Sequence, residues 1–376
     1  MKTTQSWARA AMVAVLAVAG AAGVAAEDGV SKTSIVLGQS VALTGPGSSL
    51  AEPYQQGAKL YFDRVNAAGG VNGRKVELVT LDDRGNPALT VENTKKLLAQ
   101  GVLSLFGFYG STQVTAAYPL VKDSDVLVFA PMAAADEFRG AQYPNIYSLR
   151  PGYSIEAAAV TRHAETLGAR KLAILHAADS ESMAALDAAQ RTMTAMGANL
   201  LANNVVNAGS VANSVDKTLE TKPQSVLILS DAGNAASAVR DLRAKGFRGP
   251  IYGFSNTGES LLAEELGPTG AGVVVVRVVP KSDSAKVAVV RELMADAQAA
   301  KLGKPNVYML EGYLAARAYV EALRRAKDPS RARIRKAIEG LEDVDVGGFR
   351  VHFGNERVGS RMVELSLIDS QGRVRE

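Results

Sequence analysis

Tyr109-Gly110-Ser111-Thr112 is the stretch of this 376-residue chain whose residue types and spacing make the strongest case for chemistry. It follows an apolar run, Leu103–Phe108, that reads as a buried strand, and it precedes a helical pattern over Gln113–Lys122. A second strand, Val126–Ala130, leads into a second loop, Pro131–Ala135. In an open parallel sheet, small ligands bind outside the carboxyl ends of the strands, and both loops leave such ends. Ser111 and Thr112 stand where the helix begins, so hydroxyls and unpaired backbone N–H groups converge on one place. That combination can hold an anion, because the first turn of a helix carries free donors and partial positive charge. The plainer reading of the same residues is a helix cap.

Other chemistry finds little support. His163, His176 and His352 have no second histidine or carboxylate at metal-ligand spacing, so no metal site is expected. Gly69-Gly70-Val71-Asn72-Gly73 follows a helix and opens none, which removes it as a dinucleotide fingerprint. Neither a Gly-x-x-x-x-Gly-Lys-Ser/Thr phosphate loop nor a Gly-x-Ser-x-Gly nucleophile elbow occurs. Asp82-Asp83 lies between a strand and an Asn-Pro turn, where turn and cap duty is the expected role. The reading is a binding protein without catalytic residues or cofactor. A hydrolase using Ser111 is the weaker alternative, since no histidine or lysine base is evident beside it.

The elements that must position these loops alternate regularly. Strands are expected at Ser34–Val41 and Lys75–Leu81, with a helix between them carrying Tyr54, Ala58, Tyr61, Phe62 and Val65 on one face. Asn86-Pro87 opens another helix, to Leu98, and Asn145–Leu149 is a short strand ending at Arg150-Pro151-Gly152. The rhythm then restarts. Helices at Ser154–Leu167, Ser182–Met196, around Val211–Leu219 and at Asn234–Lys245 alternate with strands. Those strands are Lys171–His176, Asn199–Val206, Ser225–Leu229, Pro250–Phe254 and Gly272–Val279. Such alternation indicates α/β architecture with parallel sheets covered on both faces. Two series imply two doubly wound, Rossmann-like lobes. The tail differs: helices at Ala285–Lys301, Val307–Arg325 and Ser330–Glu339 precede an expected antiparallel pair, Val346–Phe353 with Arg361–Ile368. Helices without intervening strands are expected to pack back onto the first lobe. The chain would then cross between lobes near Arg150, Val279 and Gly359, making a three-stranded hinge. The lobes are assigned as 27–150 plus 280–360 and 151–279 plus 361–376.

Residues 1–26 read as a secretory signal peptide, with Lys2 and Arg9 ahead of the apolar Ala10–Val18 and cleavage after Ala26. The expectation is a periplasmic protein, with full export from the cell as the alternative. The chain has no cysteine, hence no lipid-anchored amino terminus and no disulfide framework, and no direct membrane anchor is expected. Composition is 47% hydrophobic and the formal charge is +4, falling to +2 once Lys2 and Arg9 are removed. Basic residues are scattered among acids, so nucleic acid is not an expected partner.

Several blocks resemble one family. Val41-Ala42-Leu43-Thr44-Gly45-Pro46, Val65-Asn66-Ala67-Ala68-Gly69-Gly70-Val71-Asn72-Gly73-Arg74, Asp82-Asp83, Gly110-Ser111-Thr112 and Leu310-Glu311-Gly312-Tyr313 occur in order along the chain. Together they resemble the leucine/isoleucine/valine-binding proteins, periplasmic components of branched-chain amino-acid-type ABC transporters. The resemblance implies a type I periplasmic binding fold that closes on a ligand, a monomer, and an inner-membrane ABC permease as partner.

It also implies site residues. The family holds an amino acid's carboxylate with a serine hydroxyl and main-chain amides at the position of Ser111. The next loop, here Met132-Ala133-Ala134, contributes further groups, and Ala134 replaces the family's threonine. The family's acidic partner for an ammonium falls at Ser255, with Asp231 or Asp179 as substitutes. Leu50 beside Ser49, Tyr109, Met132 and Tyr308 would line the side-chain pocket, with Ser180 and Glu181 from the second lobe. An aromatic followed by glycine is usual near Glu181-Ser182 and is missing here. Arg150 is placed either on an anionic group or in a hinge salt bridge. The implied function is capture of a small carboxylate-bearing molecule, an amino acid or related organic or aromatic acid. The alternative is a sensory ligand-binding module that reports to a partner.

Overall fold

The computed structural model describes residues 27–376, and the signal peptide assigned to 1–26 lies outside the described residues. The first sheet contains β1 (Ser34–Val41), β2 (Lys75–Asp82), β3 (Ser104–Phe106), β4 (Leu127–Phe129) and β5 (Ile146–Tyr147). Its order is β2-β1-β3-β4-β5 and every pairing is parallel, with β1 and β2 in register from Ser34↔Lys75 to Val41↔Asp82. The helices α1 (Ser48–Ala67), α2 (Pro87–Ala99) and α3 (Ser111–Ala117) connect these strands.

The second lobe begins with α4 (Tyr153–Thr166) and continues as β6 (Lys171–His176), α5 (Ser180–Ala195), β7 (Asn199–Val205) and α6 (Val211–Glu220). Next come β8 (Ser225–Leu229), α7 (Ala232–Ala244), β9 (Ile251–Gly253), α8 (Glu259–Leu266) and β10 (Val273–Arg277). The sequences of β8 and β10, Ser-Val-Leu-Ile-Leu and Val-Val-Val-Val-Arg, are buried at every position, as strands covered on both faces must be.

The chain then returns to the first lobe with α9 (Ala288–Ala299), α10 (Val307–Ala326) and α11 (Arg331–Glu339), followed by the short hairpin β11 (Val344–Asp345) and β12 (Arg350–Val351). The residues of α10 share one apolar cluster with Tyr54, Ala58 and Phe62 of α1. Gly57 and Gly312 let these two helices touch backbone to backbone. A Cβ on Gly312 would sit 1.9 Å from the Tyr54 carbonyl oxygen, and one on Gly57 equally close to that of Met309.

The tail departs from the sequence reading. Val346–Phe353 and Arg361–Ile368 do not pair. Asp345 instead accepts N–H bonds from Gly347 and Gly348 and folds a tight β11–β12 turn. β13 (Glu364–Ile368) adds antiparallel to β10 and is followed by β14 (Val374–Arg375), giving the order β14-β13-β10-β9-β8-β6-β7. The expected helix over Gln113–Lys122 is also shorter. It starts at Ser111 and gives way to a 3₁₀ turn, Tyr118–Leu120, at Pro119, which has no N–H to continue the helix.

At the hinge, two crossings hydrogen-bond to each other. Ser148 N–H donates to the Arg357 carbonyl (2.9 Å) and Gly359 N–H to the Ser148 carbonyl (2.7 Å). No helix among the described residues is long and apolar enough to cross a membrane.

Candidate functional site

The carboxyl ends of both sheets face one cleft. Its central cavity, about 440 Å³, is walled by Pro46, Gly47, Ser49, Leu50 and Tyr109 from the first lobe. Ala177–Asp179, Val206, Asn207, Asp231, Asn234 and Asn256 close it from the second. Each of these residues follows the end of a parallel strand, the place such sheets offer to ligands. A neighbouring space of about 350 Å³ adds Thr112, Gln113, Ser180 and Met183. Another, of about 580 Å³, adds Tyr308, Asn306, Glu264 and Glu265.

Of the residues expected at the site, Ser49, Leu50, Tyr109, Thr112, Asp179, Ser180, Asp231 and Tyr308 line these spaces. Asp179 and Asp231 also cap helices. Asp179 accepts the N–H groups of Glu181 and Ser182 at the start of α5, and Asp231 those of Gly233 and Asn234 at the start of α7. Capping holds both carboxylates at the cleft edge. Tyr109 is buried, and burial, with Asp179 nearby, raises its pKa well above the ordinary value, so the phenol stays neutral. Tyr308 reaches across the cleft from α10 and donates its hydroxyl to the Asn256 carbonyl (2.7 Å).

Ser111, Gly110, Met132, Ala133, Ala134 and Ser255 are not among the residues lining these three spaces. Met132 packs in the core of the first lobe. Gly110 holds φ +93°, and a Cβ there would sit 2.2 Å from Gln113 Oε1, so glycine is required to turn the loop into α3. The Ser111 hydroxyl faces inward and accepts the Ala135 N–H (3.2 Å), tying the two loops together. Ala130, at the end of β4, adopts φ +46° and is held there by the Tyr54 hydroxyl on its carbonyl (2.6 Å). Strained backbone of this kind persists where the surroundings fix it, and here it aims the 131–135 loop.

The N–H groups expected to anchor a ligand's carboxylate are occupied from within the chain. Ser111 N–H donates to Glu181 Oε1 at 2.5 Å and Ala134 N–H to Glu181 Oε2 at 3.0 Å. The Tyr153 hydroxyl donates to the same Oε2 at 3.0 Å, and Thr112 N–H goes to the Ser180 hydroxyl at 2.8 Å. The first turn of α5 is thus docked onto the first turn of α3.

Ser255 has an acid beside it as well. Its N–H and hydroxyl both donate to the Glu156 carboxylate at 2.7 Å. Glu156 belongs to a buried hinge cluster in which Arg150 lies 3.5 Å from Glu156 and 3.6 Å from Glu311. Arg150 is therefore a hinge ion-pair residue. Burial works against its charge, but Glu311, with Tyr153 and Glu156, holds its pKa above the ordinary value. Burial pushes Glu156 up to about 7, with Arg150 pulling the other way. Arg139 adds a second brace, donating to the carbonyls of Ala133, Ala135, Arg150 and Pro151.

Asp82 and Asp83 do turn work as expected. Asp82 accepts Leu43, Thr44 and Arg84 N–H groups, and Asp83 accepts the Ser40 and Thr90 hydroxyls. His163 meets the Tyr252 hydroxyl, and the His176 ring meets the Ala177 carbonyl. Among the described residues no group of three or more His, Cys, Asp or Glu is arranged to hold a metal ion.

Sequence reasoning missed the amides Asn207, Asn234, Asn256 and Gln113, which carry no signature beyond following a strand end. It also missed Glu156, whose signal was a lone acid within the apolar run Ile155–Val160.

Two doubly wound lobes thus enclose a cavity between facing strand ends. A family model described as "Periplasmic binding protein" matches residues 34–366, and the chain belongs to that family. It is 31% identical over 105 residues to the Leucine-, isoleucine-, valine-, threonine-, and alanine-binding protein of Pseudomonas aeruginosa, a match covering 28% of each chain. An amino acid binding protein of the same species is 21% identical over 306 residues, covering 79% of this chain and 81% of that one. Among solved structures, an extracellular ligand-binding receptor from Verminephrobacter eiseniae superposes with a TM-score of 0.82 at 27% identity, covering 92% of this chain and all (100%) of its own. A branched chain amino acid ABC transporter protein from Thermus thermophilus with bound valine gives 0.85 at 19% identity, covering 92% and 96%, which speaks for the fold alone.

Proposed function

We propose that this chain is the solute receptor of an ABC importer, exported by its 1–26 leader to the periplasm, where it closes as a monomer on a small molecule and presents it to an inner-membrane permease. The observation that carries this reading is the cavity of about 440 Å³ whose walls come from both lobes and consist of strand-end residues. The hinge crossings near Arg150, Val279 and Gly359, dividing 27–150 plus 280–360 from 151–279 plus 361–376, support opening and closing around it. Ligand contacts are assigned to Ser49, Leu50, Tyr109, Thr112, Asp179, Ser180, Asp231 and Tyr308, which border the open space.

A ligand bound near a micromolar dissociation constant needs about −8 kcal/mol. An apolar wall of Leu50 and Tyr109 with polar groups on the opposite lobe is suited to supply it. The carboxylate expected from the sequence has a less obvious seat, because Ser111 and Ala134 already donate to Glu181. The test is a thermal-shift screen over amino acids, amides, amines and organic acids, followed by small-angle scattering of each hit. Ligand should raise the melting temperature by mass action and shrink the radius of gyration. Tyr109→Ala should weaken the best hit at least about tenfold, the effect of losing roughly 1.4 kcal/mol of contact. A chain whose stability and scattering ignore the whole library would refute the receptor reading.

A further inference from the structure

Glu181 is an odd residue to find at the closing edge of a cleft. It is 2% exposed, and both its oxygens are spoken for by donors from two loops and a tyrosine. Those donors, the Ser111 and Ala134 N–H groups and the Tyr153 hydroxyl, are five per cent exposed or less. Buried donors without an acceptor are costly, so this place demands a carboxylate or its equivalent. The chain supplies one itself, from the opposite lobe.

The open cavities beside it have the reverse character. No lysine, arginine or histidine lines any of the three, and their charged walls are Asp179, Asp231, Glu264 and Glu265. Two buried amide oxygens at their borders lack a donor. They are Asn256 Oδ1, on the central cavity, and Gln113 Oε1, on its neighbour. The Gln113 amide nitrogen is already committed to the Gly85 carbonyl (2.9 Å), which leaves its oxygen as the free acceptor.

We propose that Glu181 is a tethered carboxylate that fills the cleft's anion seat, so that the receptor rejects carboxylates and selects a small, non-acidic molecule rich in N–H donors, such as an amide or amine. This rests on the receptor reading above and adds the ligand's chemical class. Specificity here has a repulsive component: an incoming carboxylate must displace Glu181 into a cleft whose charged side chains are all acids. An N–H-bearing ligand meets carboxylate acceptors at Asp179 and Asp231 instead, and the unpaired amide oxygens of Asn256 and Gln113 lie buried just behind the walls.

The experiment uses acetate and the pair L-valine and L-valinamide as probes of wild type, E181A and E181Q. E181A leaves the seat empty, and acetate should refill it. Its melting temperature should rise by several degrees with tens of millimolar acetate, and its scattering should return to the wild-type value. Acetamide and chloride at equal concentration should do neither, and wild type should ignore acetate. L-Valine should bind E181A at least about tenfold more tightly than wild type, and hits on wild type should be non-acids. E181Q keeps the side chain's volume, and should it be the only variant that folds, its gain in L-valine affinity over wild type is read in place of E181A's. Wild type that binds L-valine as tightly as the variants, or an E181A indifferent to acetate, overturns the inference while leaving the receptor reading intact. Failure of every library member on wild type counts against the receptor reading itself, and acetate rescue of E181A still reports separately on Glu181.

Discussion

Glu156 and Glu259 are carboxylates at most one per cent exposed, and burial pushes each up to about 7 against the opposing pull of Arg150 and Arg277 respectively. An unfolded glutamate titrates near about 4.3. Between these values the folded chain holds protons that the unfolded chain releases, so stability falls as pH rises from about 5 through 7. Each raised group can account for up to about 3 kcal/mol of that loss. The urea midpoint is therefore expected to be higher at pH 5.5 than at pH 8. Glu259 Oε1 has no hydrogen-bond partner, so Glu259→Gln should flatten the slope without breaking a bond at that atom. An unchanged slope in that variant would assign the effect elsewhere. At this scale the sequence was only partly readable. Ser111 and Thr112 were legible as a loop-to-helix junction because hydroxyl residues followed a strand and a glycine. The acceptors of their N–H groups, Glu181 and Ser180, lie 70 and 68 residues further on, in the other lobe, and no local pattern points to them.

Secondary-structure elements were more legible. Runs such as Val273–Val276 admit little but a buried strand, and Asn86-Pro87 marks a helix start that the structure confirms with Asn86 accepting the Ala88 N–H. The misplaced tail pair shows the limit. Glu364–Ile368 has strand character, but its partner is β10, far back in the sequence, whereas Asp345 and two glycines settle the nearer turn. The tail helices pack on the first lobe as expected, but the choice of α1 as the partner of α10 was invisible for the same reason, although Gly312 stood in the Leu310-Glu311-Gly312-Tyr313 block. Gly312→Ala would push a methyl group against the Tyr54 carbonyl and should cost about 1–3 kcal/mol or more, because backbone lies on both sides. A denaturant midpoint unchanged in that variant would show the helices free to separate. Asp231→Ala should cost about 1 kcal/mol through loss of the α7 cap. Asp231→Asn should recover most of it, since asparagine also caps.

Across the molecule, the two-lobed plan followed from the repeated strand–helix rhythm and its interruption at Arg150-Pro151-Gly152. The state of the cleft did not, because it depends on contacts between lobes. Three residues of the first lobe, Ser111, Thr112 and Ala134, donate backbone N–H groups to Ser180 and Glu181, and Tyr308 donates to Asn256. These bonds favour the closed arrangement. Tyr308→Phe removes one of them and should enlarge the ligand-free radius of gyration measured by small-angle scattering. A curve superimposable on wild type would show that this hydroxyl has no part in closure.

The helix pair α1 and α10 also says something about how the chain reaches its native state. The two meet only after everything in 153–277 has been traversed, an entropically expensive loop for a flexible polymer. A second lobe that condenses first would bring its own entry and exit strands side by side and so act as a splint for the first. Pulse-labelled hydrogen exchange should then show amides of β6, β8 and β9 protected before those of α1 and α10, and the opposite order would mean that the first lobe assembles without help.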